Sequence, residues 1–176
     1  DKGSFTIDVD GKPILIDRGM VAYSNPHADE LSRSWAHNMA IPVVDRVMIG
    51  QNSQHGYSAT MVKSEFKNGK LEWISDQDNV WDKTLVKKNV RTIISTDPYE
   101  YEITDEFEFV RPAQIAFLLN MYEEGSVTAE AVNWIPVQVK CEPHSMDYAK
   151  QSVIRLCMLS EEGTCFKLVT RIRIVI

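Results

Sequence analysis

Asp17 and His37 are the two residues whose types could do chemistry together. Asp17 follows the apolar run Pro13-Ile14-Leu15-Ile16 and precedes Arg18-Gly19. Strand alternation puts it on the same face as Leu15, where a carboxylate is partly buried and needs a partner. His37 lies in Ser34-Trp35-Ala36-His37-Asn38-Met39, among apolar neighbours and just before a run that reads as a buried strand. A carboxylate oxygen and an imidazole nitrogen are ligand types that suit zinc. Plainer readings stand beside this one. Asp17 reads equally as a strand-end residue that caps a turn or pairs with Arg18, and His37 as a hydrogen-bonded core histidine. Tyr23, Arg33 and Asn38 are the polar groups flanking these pieces. They either line a cleft or tie the intervening loop down.

The remaining candidates have simple structural explanations. His27 and His55 sit in polar loops and His144 follows Pro143, so all three read as solvated. Arg91 and Asp105 fall on two strands joined at Asp97-Pro98 and suit a cross-strand ion pair. Trp73, Trp81 and Trp134 are either stacking platforms or, more commonly for a strand Trp, core residues. There is no G-x-S-x-G elbow, P-loop, dinucleotide glycine fingerprint or H-E-x-x-H. Glu100, Glu102, Glu106 and Glu108 recur at alternate positions, which puts them on a face turned to solvent or to a partner rather than in an acid/base pair. Three cysteines, Cys141, Cys157 and Cys165, show neither C-x-x-C nor zinc-ribbon spacing. A Cys157–Cys165 bridge across a hairpin is one reading, and free thiols on late strands the other.

The elements that must position these groups are strands. Helical periodicity is nearly absent, and alternating or β-branched runs recur from end to end. Asp10-Gly11 and Asn68-Gly69 sit between alternating runs as hairpin signals. Strands are expected over 5–9, 13–17, 40–49, 57–66, 71–75, 85–95, 99–110, 114–122, 127–132, 135–140, 152–159 and 164–176. Residues 20–23 continue the second run. Pro112 is expected to break the chain between two strands, and Glu162-Gly163 to turn a final hairpin. The polar stretch 25–33 reads as a loop with one short helical turn at Asp29-Glu30-Leu31, and 143–150 as a loop or single turn. About a dozen strands at this spacing predict an all-β fold, a large antiparallel β-sandwich with little helix, as one domain over residues 1–176. At 176 residues, 44% apolar and 25% charged, the chain is long enough to bury a core. The net charge of −6 argues against a nucleic-acid partner. No apolar run approaches the length of a membrane span. An acidic ligand would require Lys/Arg clusters hidden within this negative average.

Three pieces together carry a family resemblance: Asp1-Lys2-Gly3-Ser4-Phe5, Ile14-Leu15-Ile16-Asp17-Arg18-Gly19, and Trp35-Ala36-His37-Asn38. In this order and spacing they resemble the opening of the β-sandwich domain of the heparinase II/III-like polysaccharide lyases. The first piece is similar to the later part of that family's H-x-D-x-G-S-F motif. The resemblance is strongest over Asp1 to Asp45. It continues more faintly at Arg91-Thr92-Ile93 and Ile103-Thr104-Asp105, and beyond residue 125 only generic β pattern remains.

The resemblance implies a bacterial carbohydrate-metabolism enzyme, periplasmic or secreted, in which an α/α toroid precedes the sandwich and an acidic polysaccharide lies between them. It implies cleavage of uronic-acid-containing glycans by β-elimination. It assigns Asp17 and His37 as metal ligands to a zinc site left incomplete here, with the third ligand expected just before Asp1. A catalytic histidine is expected in that same upstream stretch, so no catalytic residue is assigned within this chain. Tyr23, Arg33 and Asn38 become sugar-binding candidates. The chain alone is expected to be inactive and, lacking its toroid, to self-associate. The alternative is a non-catalytic carbohydrate-binding or structural β-sandwich module, because fold does not fix function.

Overall fold

The structure, a computed structural model, describes residues 2–18, 22–53, 56–146 and 151–175, without the side chains of 141–146 and 151. His55, Asp1, and Met20 and Val21 of the run at 20–23 lie outside these residues, as do the His144 side chain and residues 147–150; the first part of the expected 143–150 loop, 143–146, is strand instead.

Asp10-Gly11 turns with positive φ (50° and 77°) and joins β1 (Ile7–Val9) to β2 (Lys12–Leu15) in a small hairpin. A loop follows that holds the short helix α1 (Ala28–Leu31) and a 3-10 turn at Ser34–Ala36. β3 (Met39–Val44) and β4 (Val47–Met48) pair across Asp45-Arg46, again at positive φ (50° and 67°). β5 (Thr60–Lys67) and β6 (Lys70–Asp76) pair across Asn68-Gly69. The rest of the chain gives β7 (Val86–Asp97), β8 (Glu100–Met121), β9 (Val127–Ala131), β10 (Gln138–Met146), β11 (Gln151–Leu159) and β12 (Gly163–Ile174). The fold is all-β and antiparallel, with twelve strands among the described residues, as the turn chemistry and alternation predict.

Everything is hung on β8, 22 residues long. Its first half pairs with β7 on one side and β12 on the other; its second half pairs with β3 and β11. The strand orders are β9-β12-β8-β7-β6-β5 through the first half and β10-β11-β8-β3-β4 through the second. Two expectations change here. Pro112 does not break the strand: it falls where β8 exchanges partners, between Val86↔Phe109 and Val43↔Gln114, so its missing N–H interrupts no continuous ladder. The late runs do not form a hairpin. β11 and β12 lie end to end along β8, with Cys157 opposite Leu118 and Cys165 opposite Glu108. Ten β8 positions separate the two cysteines, roughly 33 Å along a strand, so no bridge joins them.

Burial follows the pairing. The first half of β8 alternates, with Ile103, Asp105, Phe107 and Phe109 inside. From Ala113 to Met121 it is buried at every position but Gln114, as a strand covered on both faces must be. Phe107 stacks on Phe109 (5.4 Å between ring centres) and meets Trp81 at 6.2 Å. Trp81 is wholly buried, its Nε1 donating to Asn89 Oδ1 (2.8 Å). On the outer face the alternate glutamates are matched across strands: Glu100 with Arg173, Glu102 with Arg171, Glu106 with Lys88 and Lys167, and Glu108 with Lys87. That ladder satisfies the acidic face within the sheet itself.

Candidate functional site

β2 ends at Leu15, and the chain continues through Ile16 to Asp17 before entering the loop. It returns at His37, extended (φ −119°, ψ 165°), to start β3. The departing and returning ends are fastened to one residue of β8. Ile16 N donates to Asn120 O (2.9 Å). Asn38 Oδ1 accepts from Asn120 N (2.6 Å), while Asn38 Nδ2 donates to the carbonyls of Phe5 (2.8 Å) and Ile16 (3.0 Å). One buried carboxamide thus joins the N-terminal segment, the end of β2 and β8. The Asn120 side chain adds a long contact to Ala36 O (3.4 Å) and accepts from Arg155 Nε (3.3 Å).

This clamp brings Asp17 and His37 together across twenty residues of sequence. His37 Nδ1 meets Asp17 Oδ2 at 2.8 Å, with the imidazole buried and the carboxylate 39% exposed. A carboxylate only accepts, so Nδ1 carries the proton in this contact and the ring orientation is set. Asp17 lies beyond the end of β2 and opens to solvent, which is where it differs from the partly buried position that alternation predicts. The adjacent Arg18 is buried, and its Nη1 donates to Glu30 Oε1 (3.1 Å), holding α1 over the loop's start.

The geometry bears on a metal in two ways. Two donors on one tetrahedral zinc, each about 2.0–2.1 Å from the ion, stand roughly 3.3 Å apart, so Nδ1 and Oδ2 at 2.8 Å stand at hydrogen-bond separation and would share an ion only after Nδ1 gave up its proton and the two atoms moved apart. Zinc sites ordinarily take at least three protein ligands. Among the described residues no group of three or more His, Cys, Asp and Glu side chains comes together. The pair has the right residue types for two ligands, and the described residues do not complete the set.

The other candidates separate. Asn38 is 1% exposed and its amide is committed to the clamp. Arg33 grips Asp29 through Nη2 (2.8 and 3.0 Å) and lies over the Trp35 ring at 5.8 Å. Tyr23 is 95% exposed. His27 is partly exposed, its backbone N–H bonded to Asn25 Oδ1 (2.9 Å). Trp73 is half-buried in an open groove with Phe5 and Tyr101, and Trp134 donates to Val169 O (3.2 Å).

A second polar cluster fixes the N-terminal segment. Arg91 and Asp105, directly opposed on β7 and β8, form a buried fork (Nε–Oδ1 2.7 Å, Nη2–Oδ2 3.0 Å). Arg91 Nη1 also donates to Gly3 O (2.8 Å), and its guanidinium lies 5.9 Å from the Phe5 ring and 5.7 Å from that of Phe117. Gly3 has φ +83° and packs against the Gln77 side chain so closely that a Cβ would collide with it. The Gly-Ser-Phe piece therefore needs its glycine for both backbone and space. Sequence reasoning missed Asn120 and Gln77, and offered Arg18 as a partner for Asp17 without finding its bond to Glu30. A lone amide inside the apolar run Ile115-Ala116-Phe117-Leu118-Leu119-Asn120-Met121 is the signal that could have found Asn120, because such a group must be satisfied when buried.

This architecture has counterparts among solved structures. The chain has the fold of part of heparinase III. A structure described as the heparinase III BT4657 gene product superposes with a TM-score of 0.74 at 14% identity, over 99% of this chain and 30% of that one. The heparan sulfate lyase HepC from Pedobacter heparinus gives 0.72 at 11% identity, over 98% and 30%. Another structure described as heparinase III gives 0.67 at 14%, over 99% and 30%. The chain spans about 30% of the length of these structures. No protein-family model and no curated protein matches it.

Proposed function

We propose that this chain is the β-sandwich portion of a polysaccharide lyase that cleaves uronic-acid-containing glycans by β-elimination. The observation that carries the reading is the likeness of nearly the whole chain to part of heparinase III and of a heparan sulfate lyase. The meeting of Asp17 with His37, from the D-x-G and A-H-N pieces of the sequence motif, supports it independently.

In β-elimination a base removes the proton at C5 of the uronate, the C5–H electrons form the C4=C5 double bond, and the C4–O bond breaks with an acid assisting the departing oxygen. The uronate carboxylate must be neutralised for C5 to give up its proton. In this reading the base and acid come from an α/α toroid and from a histidine beyond the described residues, and this chain's part is to position. Asn38 and Asn120 fix where the loop leaves and returns, and Asp17 fixes the ring of His37. Asp17 and His37 would hold a zinc ion together with a third donor from outside the described residues. When bound, the ion would lend positive charge beside an acidic substrate and lock the two ends of the loop. The proposed setting is periplasmic or secreted. Without the toroid, the chain is proposed to self-associate, helped by edge strand β5 with its exposed Met61, Val62 and Phe66.

The test compares this chain with a protein in which it follows its toroid. Each is incubated with heparin, heparan sulfate, alginate and hyaluronan, and the ultraviolet absorbance of the unsaturated uronate is followed. Product from the longer protein on at least one substrate, and none from the chain alone, is expected. No product from the longer protein on any of them would overturn the reading in favour of a non-catalytic module.

A further inference from the structure

The β5–β6 hairpin has two unlike faces. One carries Lys63, Glu65 and Glu72, with Lys63 Nζ 3.4 Å from Glu65 and 2.8 Å from Glu72. That face is charged and satisfied within the hairpin. Residues directly opposed on neighbouring strands share a face. The other face therefore carries Phe66 with its partner Leu71, and Trp73 with its partner Ser64. Phe66 is 75% exposed, and β5 is exposed at every position but Lys63. Among the described residues nothing covers this face of the edge strand. A scattered apolar side chain on a surface is ordinary, but Phe66 continues a groove that is already aromatic.

That groove, of about 420 Å³, is lined by Trp73, Tyr101 and Phe5, from β6, β8 and the N-terminal segment. The pairs Trp73↔Ile93 and Ile93↔Ile103 carry the same face across β7 to β8, where Tyr101 stands two residues before Ile103. Neighbouring strands lie about 4.8 Å apart, so the row from Phe66 on β5 to Tyr101 on β8 spans about 14 Å. Tyr101 Oη donates to Pro98 O (3.1 Å), and Phe5 lies against the Arg91 guanidinium, so both rings are placed before anything binds. Trp81 and Trp134 direct their indole N–H groups into the fold, whereas Trp73 Nε1 has no such bond among the described residues.

Polar groups in the lining are few, and Thr6 and Asp8 are the exposed ones. Asp8 is the one charged residue among the described lining, which holds no cation. A pyranose turns C–H groups out from its ring faces and hydroxyls from its edge. Fixed aromatic faces, an indole N–H and a carboxylate that accepts from hydroxyls suit both. The same carboxylate repels uronate and sulfate groups. We propose that this aromatic row is a platform for an uncharged pyranose segment of a glycan, stacked on Trp73 and Tyr101 and continued over Phe66. The choice of a glycan rests on the lyase reading, and the platform deepens it by giving the sandwich a contact to the neutral units of a mixed chain.

The experiment is titration of the chain with chitohexaose and cellohexaose, both uncharged, and with hexamannuronate, charged at every unit, followed by calorimetry and tryptophan fluorescence. At least one neutral hexaose should bind, and hexamannuronate should not. Trp73→Ala should weaken binding about tenfold, and Trp73→Tyr should recover most of it. Phe66→Ser should also weaken binding while leaving the urea midpoint unchanged, because the ring is exposed. Trp134→Phe, in a different groove, should bind as the parent chain does. Stacking releases no counterions, so affinity should hold between about 50 mM and 200 mM salt. The proposal is overturned if no neutral hexaose binds, if Trp73→Ala and Phe66→Ser bind as tightly as the parent chain, or if hexamannuronate binds best. It is also overturned if Phe66→Ser abolishes self-association while no hexaose binds, since a second copy then occupies the face. These results are separate from the product assay above. A longer protein that cleaves glycan while both variants bind normally removes the platform and leaves the lyase. Neutral binding that both variants weaken, with no product from the longer protein, removes the lyase and leaves the platform.

Discussion

Replacing Asn38 with alanine should be among the most damaging single changes in the chain. The side chain is 1% exposed and serves three backbone groups at once: Asn120 N at 2.6 Å, Phe5 O at 2.8 Å and Ile16 O at 3.0 Å. Asn120 is itself fully buried, so its N–H finds no water when Asn38 Oδ1 is removed. An orphaned buried donor costs about 1–3 kcal/mol, and each lost hydrogen bond to a carbonyl about 0.5–1.5 kcal/mol. The expected loss is about 2–6 kcal/mol, large among point mutants. For a chain of this size each kcal/mol lowers Tm by about 2–4 °C, so the fall should exceed roughly 4 °C. Asn133 supplies the control. It also bridges two backbone groups, Lys167 O and Val169 N, but it is exposed, so water replaces what alanine removes. Asn133→Ala should cost no more than about 1 kcal/mol. The assay is urea denaturation of both variants alongside the parent chain, with m-values checked for equality. If Asn38→Ala costs no more than Asn133→Ala, burial is not what gives the clamp its strength, and the account of how the loop ends are held is wrong.

Three further outcomes follow from the same structure. Arg91→Ala should cost about 3–5 kcal/mol in urea denaturation, because it leaves Asp105 charged in the core; a loss below about 1 kcal/mol would contradict the buried fork. Gly3→Ala should lower Tm, since alanine at φ +83° is strained and its Cβ collides with Gln77, and Gln77→Ala should recover part of the loss by clearing the space. Glu106 is held below its ordinary value of 4.5 by hydrogen bonds from Lys88 and then Lys167. A lowered carboxyl stabilises the fold above its unfolded value and loses that contribution as pH falls through the folded one. Glu106→Gln should therefore show a shallower loss of urea midpoint between about pH 5 and pH 3, and parallel curves for the two proteins would refute this.

Much of the fold is legible because local signals and tertiary demands coincide. Asp10-Gly11 and Asn68-Gly69 turn where they must, with positive φ at both residues of each pair. The alternation from Tyr99 to Val110 marks which side chains of β8 face inward. What local pattern cannot convey is the identity of a strand's partners. Pro112 reads as a breaker because a proline removes one donor, and only the exchange of β3 for β7 beside β8 makes that donor unnecessary. β11 and β12 read as a hairpin because they are consecutive, and only the length of β8 lets both lie along it. At the site, residue types marked Asp17, His37 and Asn38, but Asn120 entered through a contact spanning 82 residues.

That contact changes how the site should be understood. Ile16 and Asn38 bracket residues 17–37, and both ends of the bracket close on Asn120. Closing a loop has an entropic cost that grows slowly with length, by about 0.6 kcal/mol per doubling. Once the clamp has met that cost, the interior of the loop is relieved of positioning Asp17 and His37. Those two residues occupy the first and last places inside the bracket, one step from the fixed backbone at each end. Tyr23 and Arg33 occupy its interior, where Arg33 has a local partner in Asp29 and Tyr23 is nearly fully exposed. The arrangement divides the labour. The ends are rigid, held by buried amides to the longest strand, and can keep a carboxylate and an imidazole 2.8 Å apart. The middle is free to present different side chains without disturbing that distance. Changes at Tyr23 or Arg33 should therefore act on whatever ligand the loop meets, whereas changes at Asn38 or Asn120 should act on the Asp17–His37 pair and on the fold together.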